Sequence, residues 1–155
     1  MRLQDKISII TGSARGIGRA TALKFAVEGA SVVVCDLDQR SVDAVVNVVT
    51  EQGGEASGFV VDVTDRSSID AMVEKVKARY GRIDTLVNNA GIVQDARMVN
   101  MTDDQFDKVI DVNLKGTYNC TKAVVDTMLM QQSGVILNAS SIVGIYGNFG
   151  QTRAC

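Results

Sequence analysis

The chain has 155 residues, 46% of them hydrophobic and 22% charged, which is ordinary for one globular domain with a sizeable core. Its net charge of −2 and the absence of a Lys- or Arg-rich run argue against nucleic acid as a partner, and no apolar run approaches the roughly 18 residues of a membrane span. We therefore expect a single cytoplasmic domain over 1–155, with neither a nucleic-acid nor a membrane partner.

Five short apolar runs along the chain are typical of buried strands. They are 7–10, 31–35, 58–61, 83–87 and 135–137. The first three are each followed by a segment with the apolar spacing that indicates a helix with one buried face. These segments run from Ile17 to Glu28, along Val42, Val45, Val46 and Val49, and along Ile69, Met72, Val73, Val76 and Tyr80.

A longer helical stretch follows the fourth run. It begins near Thr102, which opens a capping-box pattern. Phe106, Val109 and Ile110 are expected on its buried side, and Asn113, at i+7 from Phe106, would share that face. A buried Asn costs free energy unless its amide is hydrogen-bonded, so Asn113 either bonds locally or holds a water.

This alternation of strands and helices predicts the fold. Short strands joined by helices form a parallel sheet with helices on both faces and right-handed crossovers. If the chain reverses after the third strand, the strand order is 3-2-1-4-5. We therefore expect an α/β, Rossmann-like, doubly wound parallel sheet with its ligand at the carboxyl edge, by strands 1 and 4.

A glycine-rich loop follows the first strand and precedes the first helix. It reads Thr11-Gly12-Ser13-Ala14-Arg15-Gly16-Ile17-Gly18. Glycines at this position allow a tight turn, the approach of backbone N–H groups to a pyrophosphate, and close packing of helix on strand. The alternative is a loop that only needs flexible residues.

Two acidic residues end the second and third strands. Asp36 could bind both ribose hydroxyls of an adenosine, which favours NAD over NADP, although Arg15 could attract a 2′-phosphate. Alternatively, Asp36 is an ordinary solvated residue at a strand end. Asp62 either accepts a hydrogen bond from an adenine amino group or starts the helix expected at 64–67.

Histidine and cysteine content restricts the chemistry further. The chain has no histidine, which excludes His-based triads and the usual His metal sites, so acid–base catalysis would need other side chains. Cys35, Cys120 and Cys155 are widely spaced and odd in number, so we expect two buried thiols and one terminal thiol instead of a disulfide framework.

Five motifs stand together in the order and spacing of a known family. They are the TGxxxGxG loop, Asp36, the run Asn88-Asn89-Ala90-Gly91, Asn113 and Ser141. In all five the chain resembles the classical short-chain dehydrogenases/reductases. The resemblance implies a nicotinamide dinucleotide, NAD or NADP, held by Gly12, Ser13, Arg15, Gly16, Ile17, Gly18, Asp36, Asp62, Val63, Asn89, Ala90 and Gly91.

Within the family, 88–115 and 144–151 are most similar to the 3-oxoacyl-[acyl-carrier-protein] reductases of fatty acid synthesis. The similarity implies a 3-oxoacyl thioester, or a similar small ketone, as substrate and a homotetramer as the usual assembly of full-length relatives. Those enzymes commonly prefer NADPH. Asp36 departs from their pattern and resembles the NAD-using branches.

The resemblance also implies catalytic roles for Asn113 and Ser141. In the family the equivalent Asn supports a water-linked proton relay, and the Ser bonds the substrate carbonyl oxygen. A Tyr donates the proton, a nearby Lys lowers the pKa of that Tyr, and the nicotinamide supplies the hydride. From the residues alone, Ser141 is equally a turn residue and Asn113 a structural amide.

The family Tyr and Lys are missing from their expected positions. The Tyr is expected at position 154, which is Ala154, and the Lys would fall beyond the last residue. Tyr146 reads as a loop aromatic, and Tyr118 with Lys122 reads as a helical surface pair.

We therefore expect a domain that is incomplete at its carboxyl end, with exposed apolar surface beside strand five, dinucleotide binding at best and little or no turnover. A frameshift, an early stop or deliberate shortening would each explain this ending. The alternatives are a non-catalytic dinucleotide-binding module that associates with a partner, and a non-functional fragment.

Overall fold

The computed structural model of the chain describes residues 1–146. Ala154, where the family Tyr is expected, and the terminal Cys155 lie outside the described residues. The strands are β1 (Ile7–Thr11), β2 (Ser31–Asp36), β3 (Ala56–Val60), β4 (Thr85–Asn88) and β5 (Val135–Asn138). The α-helices are α1 (Gly16–Val27), α2 (Gln39–Glu51), α3 (Arg66–Tyr80), α4 (Asp103–Val109), α5 (Gly116–Gln131) and α6 (Val143–Tyr146).

The five strands form one parallel sheet. Their order is β3-β2-β1-β4-β5, which confirms the predicted topology. Ile9 on the central strand β1 is in register with Val33 of β2 and Leu86 of β4. The chain order reverses beside β1, and the loops after β1 and β4 therefore meet at the carboxyl edge of the sheet.

A separate hydrophobic core covers each face of the sheet. Neighbouring residues of β1 alternate between the faces, and Ile9 and Ile10 are both fully buried. Ile9 belongs to the core that includes side chains of α3 and α5, and Ile10 to the core that includes side chains of α1 and α2. Burial on both sides explains why these strands read as continuous apolar runs.

The helix after β4 is not continuous. A π-helical segment, Ile110–Lys115, separates α4 from α5. The predicted capping box at the start of α4 is present, with Thr102 accepting from the Gln105 amide. Because a π-helical segment changes the number of residues per turn, helical faces on its two sides are rotated relative to each other.

The predicted buried face of this helix is partly wrong. Val109 is buried, but Phe106 is 45% exposed and Asn113 is only half-buried. Tyr146, predicted in a loop, lies in the short helix α6 and is exposed.

The strand β5 at one edge of the sheet has apolar side chains open to solvent. Val135 is 53% exposed and Leu137 is 47% exposed. The predicted apolar surface beside strand five is present. No helix in the part of the chain that the structure describes is long and apolar enough to cross a membrane.

Two cysteines lie in the interior, as predicted. Cys35 and Cys120 are free thiols in the core between the sheet, α3 and α5. Burial raises the pKa of Cys35 far above its usual value and that of Cys120 to about 12. Both thiols therefore stay protonated and poorly nucleophilic.

A buried carboxylate joins β1 to β4 at the amino edge of the sheet. The Asp84 side chain is 5% exposed and accepts from the Ile7 amide at 3.0 Å, from Arg82 Nε at 2.9 Å and from Lys6 Nζ at 3.4 Å. Burial alone would raise the pKa of Asp84, but the Arg82 and Ile7 hydrogen bonds and the charges of Arg82 and Lys6 outweigh it and lower the pKa.

Replacing Asp84 should destabilise the fold. Asp84→Ala leaves the buried Ile7 amide without its acceptor, and we expect a loss of about 1–3 kcal/mol in the free energy of unfolding. The control is Asp70→Ala, which removes the exposed Arg66–Asp70 pair and should cost about 0.5 kcal/mol or less. Urea denaturation at neutral pH measures both, and equal losses would contradict the assigned role of Asp84.

The Asp84 contribution should also depend on pH. A carboxyl whose pKa is lowered by folding stabilises fully above its unfolded pKa and loses this effect as the pH falls through the lower folded value. The difference between the wild type and Asp84→Ala should therefore be complete at neutral pH and shrink in acid. A difference that grows on acidification would reverse the sign of the shift.

Candidate functional site

A cavity of about 1010 Å³ lies at the carboxyl edge of the sheet. The loops that follow β1, β2, β3 and β4 all line it. Of the residues that the sequence assigns to cofactor binding, those lining the cavity are Gly12, Arg15, Gly16, Ile17, Gly18, Asp36, Asp62, Val63, Asn89, Ala90 and Gly91. The structure therefore brings motifs that are far apart in the sequence into one site.

Ser13 is the exception among these residues. Its side chain is fully buried and does not line the cavity. The hydroxyl donates to the Ile10 carbonyl at 2.7 Å and accepts from the Cys35 amide at 3.0 Å. Ser13 thus links the ends of β1 and β2 inside the protein.

The glycines allow three backbone segments to meet. Gly12 has a φ of +61°, and a Cβ there would lie 2.9 Å from the Ala90 Cα. A Cβ on Gly18 would overlap the Gly12 carbonyl oxygen. Larger residues at these positions would push the glycine loop away from α1 and from the loop after β4.

The amino end of α1 forms part of the cavity wall. Arg15 occupies the N-cap position in an extended conformation, and its side chain makes no cap hydrogen bond. Gly16, Ile17 and Gly18, the first turn, line the cavity. First-turn N–H groups have no acceptor within a helix and carry the positive end of its dipole, so this wall suits an anion such as a pyrophosphate.

Thr11 and Asn89 hold the glycine loop against the loop after β4. The Thr11 hydroxyl accepts from the amides of Asn89 at 3.1 Å and Ala90 at 3.0 Å. The Asn89 side chain donates to the carbonyls of Thr11 and Gly12, each at 3.0 Å. Sequence reasoning gave Thr11 no role of its own, although its position at the end of β1, next to Gly12, was the available signal.

Asp36 is oriented by the backbone around it. One carboxylate oxygen accepts from the Ala14 amide at 3.0 Å and the other from the Leu37 amide at 2.8 Å. Each oxygen keeps acceptor capacity, because a carboxylate offers about four lone-pair sites. Asp36 is thus half-buried and fixed at the cavity, which an ordinary solvated residue would not be.

Asp62 lines the cavity but does not cap the following helix. One of its oxygens accepts from the Thr64 amide at 2.8 Å and from the Thr64 hydroxyl at 2.7 Å, which forms a local turn. The N-cap of α3 is Asp65. The helix therefore begins at Arg66, within the predicted 64–67, but Asp62 is not the residue that starts it.

A smaller cavity of about 370 Å³ adjoins the first, and the residues 89–92 line both. Asn113 and Ser141, the two predicted catalytic residues, line this second cavity together. Ser141 lies three residues beyond β5, and its hydroxyl accepts from the Val143 amide at 3.3 Å. Two side chains from distant elements are thus brought to one place.

Asn113 makes local hydrogen bonds. Its side-chain oxygen accepts from the Ile92 amide at 2.9 Å, and its side-chain nitrogen donates to the Ile92 carbonyl at 3.0 Å. The Thr117 hydroxyl donates to the Asn113 carbonyl at 2.8 Å. Asn113 therefore fixes the segment that the two cavities share.

Asn88 is a buried polar residue at the second cavity that the sequence analysis placed in the motif 88–91 but not among the site residues. Its amide nitrogen donates to Thr121 Oγ1 at 3.1 Å and to Asn138 Oδ1 at 2.9 Å, which joins β4 to α5 and β5. Its own side-chain oxygen is buried and has no hydrogen-bond partner within 1–146. Its place in that motif, at the end of a buried strand, was the available signal.

Comparison with known proteins agrees with this geometry. The family model described as short chain dehydrogenase matches residues 6–153. The 3-oxoacyl-[acyl-carrier-protein] reductase FabG of Thermotoga maritima is 51% identical over 153 residues, covering 99% of this chain and 62% of the relative. FabG of Staphylococcus aureus strain Mu50 is 41% identical over 149 residues, covering 96% of this chain and 61% of the relative.

A further relative, the 3-oxoacyl-[acyl-carrier-protein] reductase of Synechocystis, is 41% identical over 152 residues, covering 97% of this chain and 62% of the relative. The chain spans about 62% of the length of the curated relatives it matches. The family match extends over nearly the whole chain, and the motifs that carry the resemblance line two adjoining cavities. The chain belongs to the short chain dehydrogenase family.

Proposed function

We propose that the chain binds a nicotinamide dinucleotide in the larger cavity, as part of a reductase that acts on 3-oxoacyl thioesters, with NAD favoured over NADP. The observation that carries the proposal is the meeting of the uncapped end of α1 with the oriented carboxylate of Asp36 in one cavity. A dinucleotide needs both groups, one for its pyrophosphate and one for its adenosine ribose.

The residues present fit this cofactor. The first turn of α1, from Gly16 to Gly18, would hold the pyrophosphate, and Asp36 would accept from the ribose hydroxyls. Asp62 and Val63 line the same cavity and would contact the adenine. When bound, the nicotinamide would supply the hydride for carbonyl reduction.

The smaller cavity supports the substrate assignment. The relatives named above are reductases of 3-oxoacyl thioesters on a carrier protein. In this chain the Ser141 hydroxyl would donate to the substrate carbonyl oxygen, and Asn113 would hold the wall formed by 89–92 in place. Position 154 is Ala where the family has its proton-donating Tyr, so we propose that this sequence binds the dinucleotide without efficient turnover.

Removing the charge of Asp36 should weaken NAD binding selectively. Asp36→Asn loses a charge-assisted acceptor, and we expect the dissociation constant for NAD to rise roughly tenfold, with a smaller change for NADP. Isothermal titration calorimetry with both dinucleotides measures the ratio. Asp43→Asn, an exposed change on α2, is the control and should leave both affinities unaltered. Equal weakening for NAD and NADP would contradict the ribose contact.

Turnover should be absent or very slow in the 155-residue chain. With Ala154 in place of the family Tyr, we expect saturable binding of reduced dinucleotide but no loss of its absorbance when an acetoacetyl thioester is added. The thioester would be tested with homogeneous protein, alongside Ser141→Ala. Turnover that disappears in Ser141→Ala would overturn this expectation and show that another group donates the proton.

A second candidate function is a non-catalytic dinucleotide-binding module that works by association. The observation in its favour is the apolar surface of β5, where Val135 and Leu137 are about half exposed on an edge strand. An edge strand of this kind can pair with another chain.

The association hypothesis predicts a concentration-dependent increase in mass. Light scattering coupled to gel filtration should detect it for the wild type and show a clear reduction for Leu137→Lys. Val60→Lys is the matched control, since Val60 is 48% exposed on the opposite edge strand, close to the 47% of Leu137. A strictly monomeric wild type would remove this candidate.

A further inference from the structure

One wall of the larger cavity is acidic and comes from an element outside the dinucleotide motifs. Asp104 and Asp107 on α4 and Asp111 on the π-helical segment line the cavity. We call these three residues the acidic wall. Asp104 and Asp107 are three residues apart on α4, a spacing that places side chains on one side of a helix.

The acidic wall changes the charge balance of the cavity. Among residues 1–146, five carboxylates and two cations line it, and three of the five carboxylates belong to the acidic wall. The two cations are Arg15 and Lys108. The lining is therefore net negative, although the cavity has the geometry of a site for an anionic dinucleotide.

Few ion pairs within 1–146 neutralise the carboxylates of the acidic wall. Within 1–146, Asp111 forms an ion pair with Lys115 at 3.7 Å, and both side chains are more than half exposed, so water screens this pair strongly. No ion pair within 4.0 Å is found for Asp104 or Asp107 among the described residues. Lys108 lies between Asp107 and Asp111 in the sequence and adds one positive charge to the lining of the cavity.

The shape of the cavity extends the reach of these charges. Apolar side chains such as Val61, Val63 and Val112 also line it, and concave sites with low-dielectric walls concentrate the field of nearby charges. At physiological ionic strength the Debye length is about 8 Å, so charges around one cavity still act on each other. A ligand therefore experiences the acidic wall without touching it.

We propose that the acidic wall is a second determinant of cofactor choice, which disfavours a 2′-phosphorylated dinucleotide by through-space repulsion. The inference rests on the proposed dinucleotide site and deepens it. Asp36 acts on the ribose by contact, whereas the acidic wall acts on total ligand charge. Its effect must therefore grow with the charge of the ligand and fall with added salt.

The test replaces Asp107, because this residue is exposed and has no ion pair to lose. Asp107→Asn and the double variant with Asp111→Asn would be titrated with adenosine, NAD and NADP at low salt. For NADP we expect each neutralised carboxylate to tighten binding about two- to fourfold, with a smaller gain for NAD and none for neutral adenosine. The gains should disappear at about 0.5 M salt, where the Debye length falls below roughly 5 Å.

Asp103→Asn is the matched control. Asp103 lies on the same helix as Asp107 and carries the same charge, but it does not line the cavity. Because Asp103 does not line the cavity, its removal should change the ratio of NADP to NAD affinity less than the removal of Asp107 does. Equal gains in Asp103→Asn and Asp107→Asn, a gain that includes adenosine, or an unchanged ratio in both acidic-wall variants would each overturn the proposal.

The experiment separates this inference from the proposed function. If the wild type binds NAD but Asp107→Asn leaves the ratio of NADP to NAD affinity unchanged, the role proposed for the acidic wall is wrong and the proposed dinucleotide site is retained. If neither dinucleotide binds to the wild type while its thermal unfolding remains cooperative, the proposed function fails and the inference falls with it. Thermal unfolding of each variant verifies that the affinities compare folded proteins.

Discussion

The functional edge of this protein depends on a close approach of three backbone segments. The glycine loop, the first turn of α1 and the loop after β4 pack so tightly that a Cβ on Gly12 or Gly18 would collide with backbone atoms. Thr11 and Asn89 hold the segments together through hydrogen bonds to main-chain groups. These backbone contacts hold the amino end of α1 in the wall of the cavity, where its first-turn N–H groups can face a ligand.

The sequence predicts most of this architecture, because parallel strands buried on both faces leave an unambiguous apolar signature. The strand order follows from chain connectivity, and the edge that holds the site follows from the strand order. The role proposed for Asp36 follows from its position at the end of β2, where an acidic residue can reach the ribose of a dinucleotide. Asn113 and Ser141 could be assigned only through the resemblance to a family, since an Asn in a helix and a Ser after a strand carry weak signals by themselves.

Some features could not be predicted because no short stretch of the sequence indicates them. A π-helical segment interrupts the helix between Phe106 and Asn113, and the burial expected from regular helical spacing is wrong, since Phe106 is 45% exposed and Asn113 is half-buried. Ser13 reads as part of the phosphate-binding loop, yet its hydroxyl is used inside the protein between β1 and β2. The acidic wall could not be predicted either, because the sequence does not indicate that these three Asp residues line a cavity.

The amino and carboxyl ends of the strands are stabilised in different ways, and the difference bears on which substitutions the chain can tolerate. At the amino edge, Asp84 joins β1 and β4 through a buried, charged cluster. At the carboxyl edge, Asp36 and the acidic wall line an open cavity, and of these four carboxylates only Asp111 forms an ion pair within 1–146. Substitutions at the carboxyl edge can therefore alter ligand preference while the amino edge keeps the strands in register. The exposed carboxylates that line the cavity can therefore be exchanged, whereas the backbone contacts of Gly12 and Gly18 at the same end of the sheet cannot.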